Sequence, residues 1–164
     1  MLDENDVLVE ELAALLLARH MKCATAESCT GGLIGAMLTA RPGSSDWYTG
    51  GVISYANEVK MGLLGVRRED LASEGAVSEP VVRSMALGAC LAAGAEAAMA
   101  TSGVAGPGGG TAQKPVGTVW IGWALRGRTR AKVFHFEGNR DEVRVQAARQ
   151  AMAGLVAWLK EETL

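Results

Sequence analysis

Three short runs of small or β-branched residues each break off into a polar, mostly glycine-bearing segment, and this repetition constrains the fold more than any other feature. Lys22 to Ala26 leads into AESCTGG (26–32), Gly51 to Tyr55 runs into SYANEVK (54–60), and Ala97 to Thr101 runs into TSGVAGPGGG (101–110). Helical patterns lie between and around them. Leu8, Leu12, Leu15 and Leu16 predict a helix from about 5 to 20, and Leu33 to Ala40 a second one stopped by Arg41-Pro42-Gly43. Ser78-Glu79-Pro80 opens an alanine-rich helix to about Ala93. Ala148, Met152, Leu155 and Leu159 mark a last helix from about Asp141 to Lys160, and Asn57 to Leu64 reads as a short one. Val116–Leu125 and Arg130–Phe136 predict two strands joined by Arg126-Gly127-Arg128. About five strands and four helices besides the short one, interleaved over the first two thirds, predict an α/β fold: a mixed sheet covered by helices on both faces.

The remaining composition removes whole classes of function. With 164 residues and neither repeat nor linker, the chain reads as one domain, 1–164. Apolar residues at 49% and charged ones at 21% allow a sizeable core. Sixteen basic against eighteen acidic residues leave a net charge of −2, which argues against a nucleic-acid binder. No apolar run approaches the length of a membrane span, and MLDENDVLVEE lacks the layout of a signal peptide. Three cysteines without CxxC spacing and two histidines suit neither a disulfide framework nor a metal centre. A cytoplasmic protein without metal or cofactor is expected.

In open α/β sheets ligands gather beyond the carboxyl ends of the strands, where parallel strands would bring the three polar segments together. Thr30, Gly31 and Gly32 fall at a predicted helix start, which favours an anion. Ser28, just before them, suits a nucleophile with an oxyanion hole of backbone amides. Equally, Ser28 or Thr30 simply caps the helix. Cys29 is an alternative nucleophile or small apolar filler. Neither histidine lies near these loops, whereas Lys60, with Tyr55 and Asn57 close in sequence, does; a desolvated lysine can replace histidine as the base. Alone, the same lysine is an ordinary surface charge. The glycine-rich segment, with Ser102, Gly103, Gly106 and Gly108, matches neither a Walker A loop nor a dinucleotide fingerprint, which leaves a binding loop of unfamiliar pattern or a solvent loop. Arg140 and Arg144 flank the start of the last helix and suit a phosphate clamp or a solvated face. Trp120 and Trp123 read as core or subunit contact.

In order and spacing, AESCTGGLIG, GGVISYANEVK, GAVSEPVV, SGVAGPGGGTAQKPVGTVWIG and FEGNRDEVRVQAA resemble the CinA C-terminal domain family of nicotinamide mononucleotide deamidases, over residues from about 7 to 160. The resemblance implies a three-layer α/β/α sandwich and hydrolysis of the carboxamide of nicotinamide mononucleotide to nicotinate mononucleotide and ammonia. It implies Ser28 as nucleophile and Lys60 as base, with Tyr55 orienting one of them or meeting the substrate. Ser102 stands where many members carry threonine. Either Arg140 or Arg144 would meet the phosphate, Arg140 being favoured. Longer members carry a further N-terminal domain, so this chain looks like the stand-alone form, and a homodimer or larger homo-oligomer is expected. The rival reading is a non-catalytic nucleotide-binding protein in a competence- or damage-related assembly. A third, a Ser-Lys amidase acting on another amide, shares the mechanism.

Overall fold

Of the five strands, three lie buried on both faces, β4 (Thr118–Leu125) among them. Strands β1 (Cys23–Glu27) and β3 (Ala97–Gly103) are almost wholly inaccessible, which fits sequences free of polar/apolar alternation. With β2 (Tyr48–Ile53), β4 (Thr118–Leu125) and β5 (Arg128–His135) they form one sheet in the order β2-β1-β3-β4-β5. The computed structural model describes residues 2–162. Strands β2, β1 and β3 run parallel, β4 runs against β3 and β5 turns back against β4, so the expected mixed sheet and its hairpin are both present. The outer strand β5 exposes Arg128, Arg130 and Lys132 along its length, charges that discourage edge-to-edge pairing.

Helices cover both faces. One face carries α1 (Val7–Ala18), α2 (Leu33–Thr39) and α6 (Arg140–Glu161), packed through Leu12, Leu16, Ile34, Leu38, Met152 and Leu155 onto Met99, Ile121 and Trp123. The other face carries α3 (Asn57–Leu64) and α5 (Glu79–Ala93), whose Val81, Val82, Met85 and Ala86 rest on Ala24, Ala26, Ala98, Ala100 and Ala124. The alanine surface explains the small-residue strand read at Ala97 to Thr101: short side chains bring α5 close to the sheet. Trp123 belongs to the core, its indole N–H donating to the Ala151 carbonyl over 2.7 Å. Trp120 packs beside the alanine face.

Several boundaries differ from the sequence reading. Strand β2 begins at Tyr48, whose hydroxyl pairs with Thr25 Oγ1 at 2.8 Å, and ends at Ile53 because the Ser54 and Tyr55 carbonyls turn away to another partner. Strand β4 starts two residues later than Val116, and Glu27 belongs to β1. Helix α6 begins at Arg140, fixed by a capping box between Asn139 and Glu142. Helix α4 (Arg68–Glu74) was not foreseen; it has neither a side-chain cap nor a fully buried residue, so no apolar stripe announces it. The described residues therefore hold six α-helices.

Candidate active site

The parallel register does the first part of the assembly. Glu27 lies level with Ile53 on one side and Thr101 on the other, and the ladder continues one residue further. The Ser54 N–H donates to Glu27 O at 2.8 Å and the Ser28 N–H to Thr101 O at 3.0 Å. Ser28, Ser54 and Ser102 thus stand side by side across the carboxyl ends of β2, β1 and β3. Here the chain leaves β1 towards one edge of the sheet and β3 towards the other, the kind of divergence that opens a crevice.

Only three residues separate β2 from α3, so the first turn of α3 folds back over the strand ends and buries Lys60, which is 1% exposed. Its Nζ lies 2.6 Å from Ser54 O, 3.2 Å from Tyr55 O and 3.1 Å from Ser28 Oγ. Two of these partners are carbonyls, which can only accept. An ammonium group donates one proton to each of the three. A neutral amine has two protons for the two carbonyls, and its lone pair is then left facing the Ser28 hydroxyl, from which it accepts. Burial holds the Lys60 amine below the usual lysine range. Lys60 joins none of the ion pairs among the described residues, so no carboxylate restores the charge.

Cys29 lies against the same cleft but is 6% exposed, and desolvation pushes its thiol up to about 11. A thiol protonated at neutral pH is a poor nucleophile, which leaves Cys29 as small apolar filler.

An open cleft of about 310 Å³ spreads in front of the pair, within the range of small-molecule sites. Ser28, Tyr55, Asn57, Lys60, Ser102 and Arg140 line it, with Ala76 and Val77 as an apolar wall and the backbone of Gly103, Gly106, Gly108 and Gly109 opposite. Gly106 has φ +86°, a conformation that side chains disfavour, and its carbonyl accepts from Arg140 at 2.8 Å. Arg140 also reaches the Tyr55 hydroxyl at 3.3 Å, bridging the loop after β2 to the glycine-rich loop.

Three expected contact residues lie elsewhere. Thr30, Gly31 and Gly32 do not line the cleft. Thr30 is fully buried, and its hydroxyl donates to Glu27 Oε1 over 2.6 Å. The Gly31 N–H is taken by Ser28 O. The anion at the start of α2 is the chain's own: the Glu27 carboxylate accepts from the Ile34 N–H at 2.8 Å and the Gly35 N–H at 3.1 Å. Arg144 is likewise not a cleft residue. Its guanidinium donates to the Cys29 and Thr30 carbonyls, each at 3.1 Å, and so braces the Ser28 turn from behind. The sequence reading missed Glu27 and Ser54. Glu27 was available as a signal, a carboxylate shortly ahead of a helix start, whereas Ser54 was hidden inside the strand read at Gly51 to Tyr55 and emerges only because β2 ends at Ile53.

The chain matches the model of the CinA C-terminal domain over residues 5–159, nearly its whole length. It belongs to that family. The nicotinamide-nucleotide amidohydrolase PncC of Escherichia coli K12 is 48% identical over 149 residues, covering 90% of both chains. A CinA-like protein of Akkermansia muciniphila is 47% identical over 90% of this chain but only 36% of its own length. The chain spans about a third of the length of such CinA-like relatives. Among solved structures, the competence damage-inducible protein A of Klebsiella pneumoniae superposes with a TM-score of 0.93 at 41% identity, covering 98% of this chain and 100% of that one. The fold is thus that of the CinA superfamily proteins.

Proposed function

We propose that the chain is a nicotinamide-nucleotide amidohydrolase, converting nicotinamide mononucleotide to nicotinate mononucleotide and ammonia through a serine nucleophile and a lysine base. The observation that carries this is the 3.1 Å contact of a buried, carboxylate-free Lys60 Nζ with Ser28 Oγ at the floor of an open cleft. The PncC relative supplies the substrate class.

Neutral Lys60 takes the proton of Ser28 Oγ as the oxygen attacks the carboxamide carbon, giving a tetrahedral oxyanion. The N–H group of Cys29, a cleft residue with no backbone acceptor among the described residues, stabilises it. This replaces the Thr30-to-Gly32 assignment, since those three residues do not line the cleft and the Gly31 N–H is committed to Ser28 O. Protonated Lys60 passes its proton to the leaving nitrogen, ammonia departs, and water hydrolyses the acyl-serine ester with Lys60 again as base. Arg140, at the rim, pairs with the substrate phosphate, and Tyr55 holds Arg140 in place. Asn57 and Ser102 offer hydrogen bonds along the cleft.

The test is ammonia release from nicotinamide mononucleotide by the purified protein in excess chelator, beside its Ser28→Ala and Lys60→Ala variants. Turnover in the wild type, reduced by several orders of magnitude in both variants, is expected. Nucleotide binding without turnover would favour a non-catalytic binding protein. More than roughly a tenth of wild-type kcat in Ser28→Ala would remove the nucleophile assignment.

A further inference from the structure

We infer that Glu27 is a positioning residue that holds nucleophile and base in register, its carboxylate fixing the Ser28 turn and its carbonyl fixing the Lys60 cradle. The inference rests on the Ser28–Lys60 reading above and adds a residue to it.

Glu27 is 2% exposed and pairs with no cation among the described residues. Its charge is met by donors alone: the Thr30 hydroxyl and the N–H groups of Ile34 and Gly35. Those donors lie on the far side of the turn that begins at Ser28, so the turn is clamped between the end of β1 and the start of α2. Meanwhile Glu27 O accepts from the Ser54 N–H, and Ser54 O is the shortest of the Lys60 Nζ contacts. One residue therefore anchors both partners, through its side chain on one side and its backbone on the other.

The carboxylate also sets a direction. Thr30 has one hydroxyl proton, which it gives to Glu27 Oε1. Its contact with Thr101 Oγ1, at 2.8 Å, is then one in which Thr101 donates. Each hydroxyl proton in this row points towards Glu27, and Thr101 immediately precedes the cleft residue Ser102. A glutamine at 27 cannot reproduce the pattern. With its oxygen towards Thr30 and Ile34, its NH₂ confronts the Gly35 N–H; flipped, it confronts the Ile34 N–H. Either way two donors face each other inside the protein, and the turn must shift.

The experiment compares Glu27→Gln, Thr30→Val and Thr30→Ser, each checked for native circular dichroism, in two readouts. In steady-state ammonia release from nicotinamide mononucleotide, Glu27→Gln is expected to lose about 10²-fold in kcat with KM changed less than about threefold, the mark of misplaced reacting groups with an intact cleft. Thr30→Val should show the same split to a smaller degree, with Thr30→Ser recovering most of the loss. The second readout, the rate at which a fluorophosphonate labels Ser28, does not depend on the natural substrate and should fall in parallel. A protein that labels in this pattern but releases no ammonia would sink the substrate reading and leave the Glu27 inference standing. Unchanged kcat and labelling in folded Glu27→Gln would overturn the inference, as would a rise in KM alone. Should Glu27→Gln not fold, the Thr30 pair decides: equal rates in Thr30→Val and wild type would overturn it too.

Discussion

Gly88→Ala, a substitution far from the cleft, is expected to disable the catalytic pair through helix packing. Gly88 lies on α5 where it meets the end of α3, and a Cβ there would stand 2.7 Å from the Leu64 Cα and carbonyl carbon. Carbon atoms settle at about 3.5 Å or more, so the end of α3 must retreat by about 1 Å. Lys60 lies one turn before Leu64 on the same helix face, and the same retreat opens its 3.1 Å contact with Ser28 Oγ towards about 4 Å, beyond proton-transfer reach. A displacement of that size costs about 10²-fold in rate, or about 2.7 kcal/mol in barrier. Overpacking costs about 2 kcal/mol of stability, partly offset by about 1 kcal/mol from the better helix propensity of alanine. Gly62→Ala is the control: it lies on α3 itself, its Cβ would meet nothing within 4 Å, and it should stabilise by up to about 1 kcal/mol with kcat unchanged. Ammonia-release kinetics and urea unfolding of both variants test this. A Gly88→Ala protein that loses stability yet keeps wild-type kcat would refute the idea that α5 sets the position of Lys60. One as stable as wild type would refute the packing premise itself.

Lys60 should make turnover rise with pH, since burial lowers its folded pKa and the neutral amine is the base; a kcat/KM falling as pH climbs from 6 to 9 would contradict it. Its effect on stability has a definite sign. Between that lowered pKa and the unfolded value of 10.5, the unfolded chain binds the extra proton, so wild-type stability should climb with pH relative to Lys60→Met in that window and run parallel below it, as urea unfolding from pH 6 to 10 would show. The two arginines should separate kinetically. Arg140→Ala raises KM by roughly 10- to 100-fold with kcat largely kept, whereas Arg144→Ala lowers kcat, because it releases the Cys29 and Thr30 carbonyls; the reverse pattern would exchange their roles. Cys29, with its thiol pushed up to about 11, should resist iodoacetamide at pH 7, and rapid alkylation followed by mass spectrometry would show otherwise.

Those parts of the fold that rest on local patterns were legible in the sequence. The α3 and α5 spans, Asn57–Leu64 and Glu79–Ala93, follow from a strand-to-helix break and from Ser78 with Pro80 in the first turn. That the segments after β1, β2 and β3 share one edge followed from assuming parallel strands, and the parallel pairing of β1 with both neighbours supports the assumption. Helix α4 was not legible because amphipathic periodicity reports burial, and this helix has no fully buried residue, only Leu71 packing against the core.

The site shows a sharper division. Residue types that perform chemistry announce themselves, and Ser28, Lys60, Tyr55, Asn57, Ser102 and Arg140 all reach one cleft. What the sequence cannot show is which anion a helix start serves. The rule that Thr30, Gly31 and Gly32 invite an anion was sound physics applied to the wrong ligand, because Glu27 had already claimed the Ile34 and Gly35 amides. Arg144 follows the same logic: an arginine near a binding loop serves equally well against a phosphate or against backbone carbonyls, and only its place one turn into α6 decides for the carbonyls. Groups that look made for a substrate are here spent on one another. Under the proposed reaction the substrate would meet a lysine without a counter-ion among the described residues and a serine on a turn clamped from behind, which is what a base and a nucleophile need to react without reorganising.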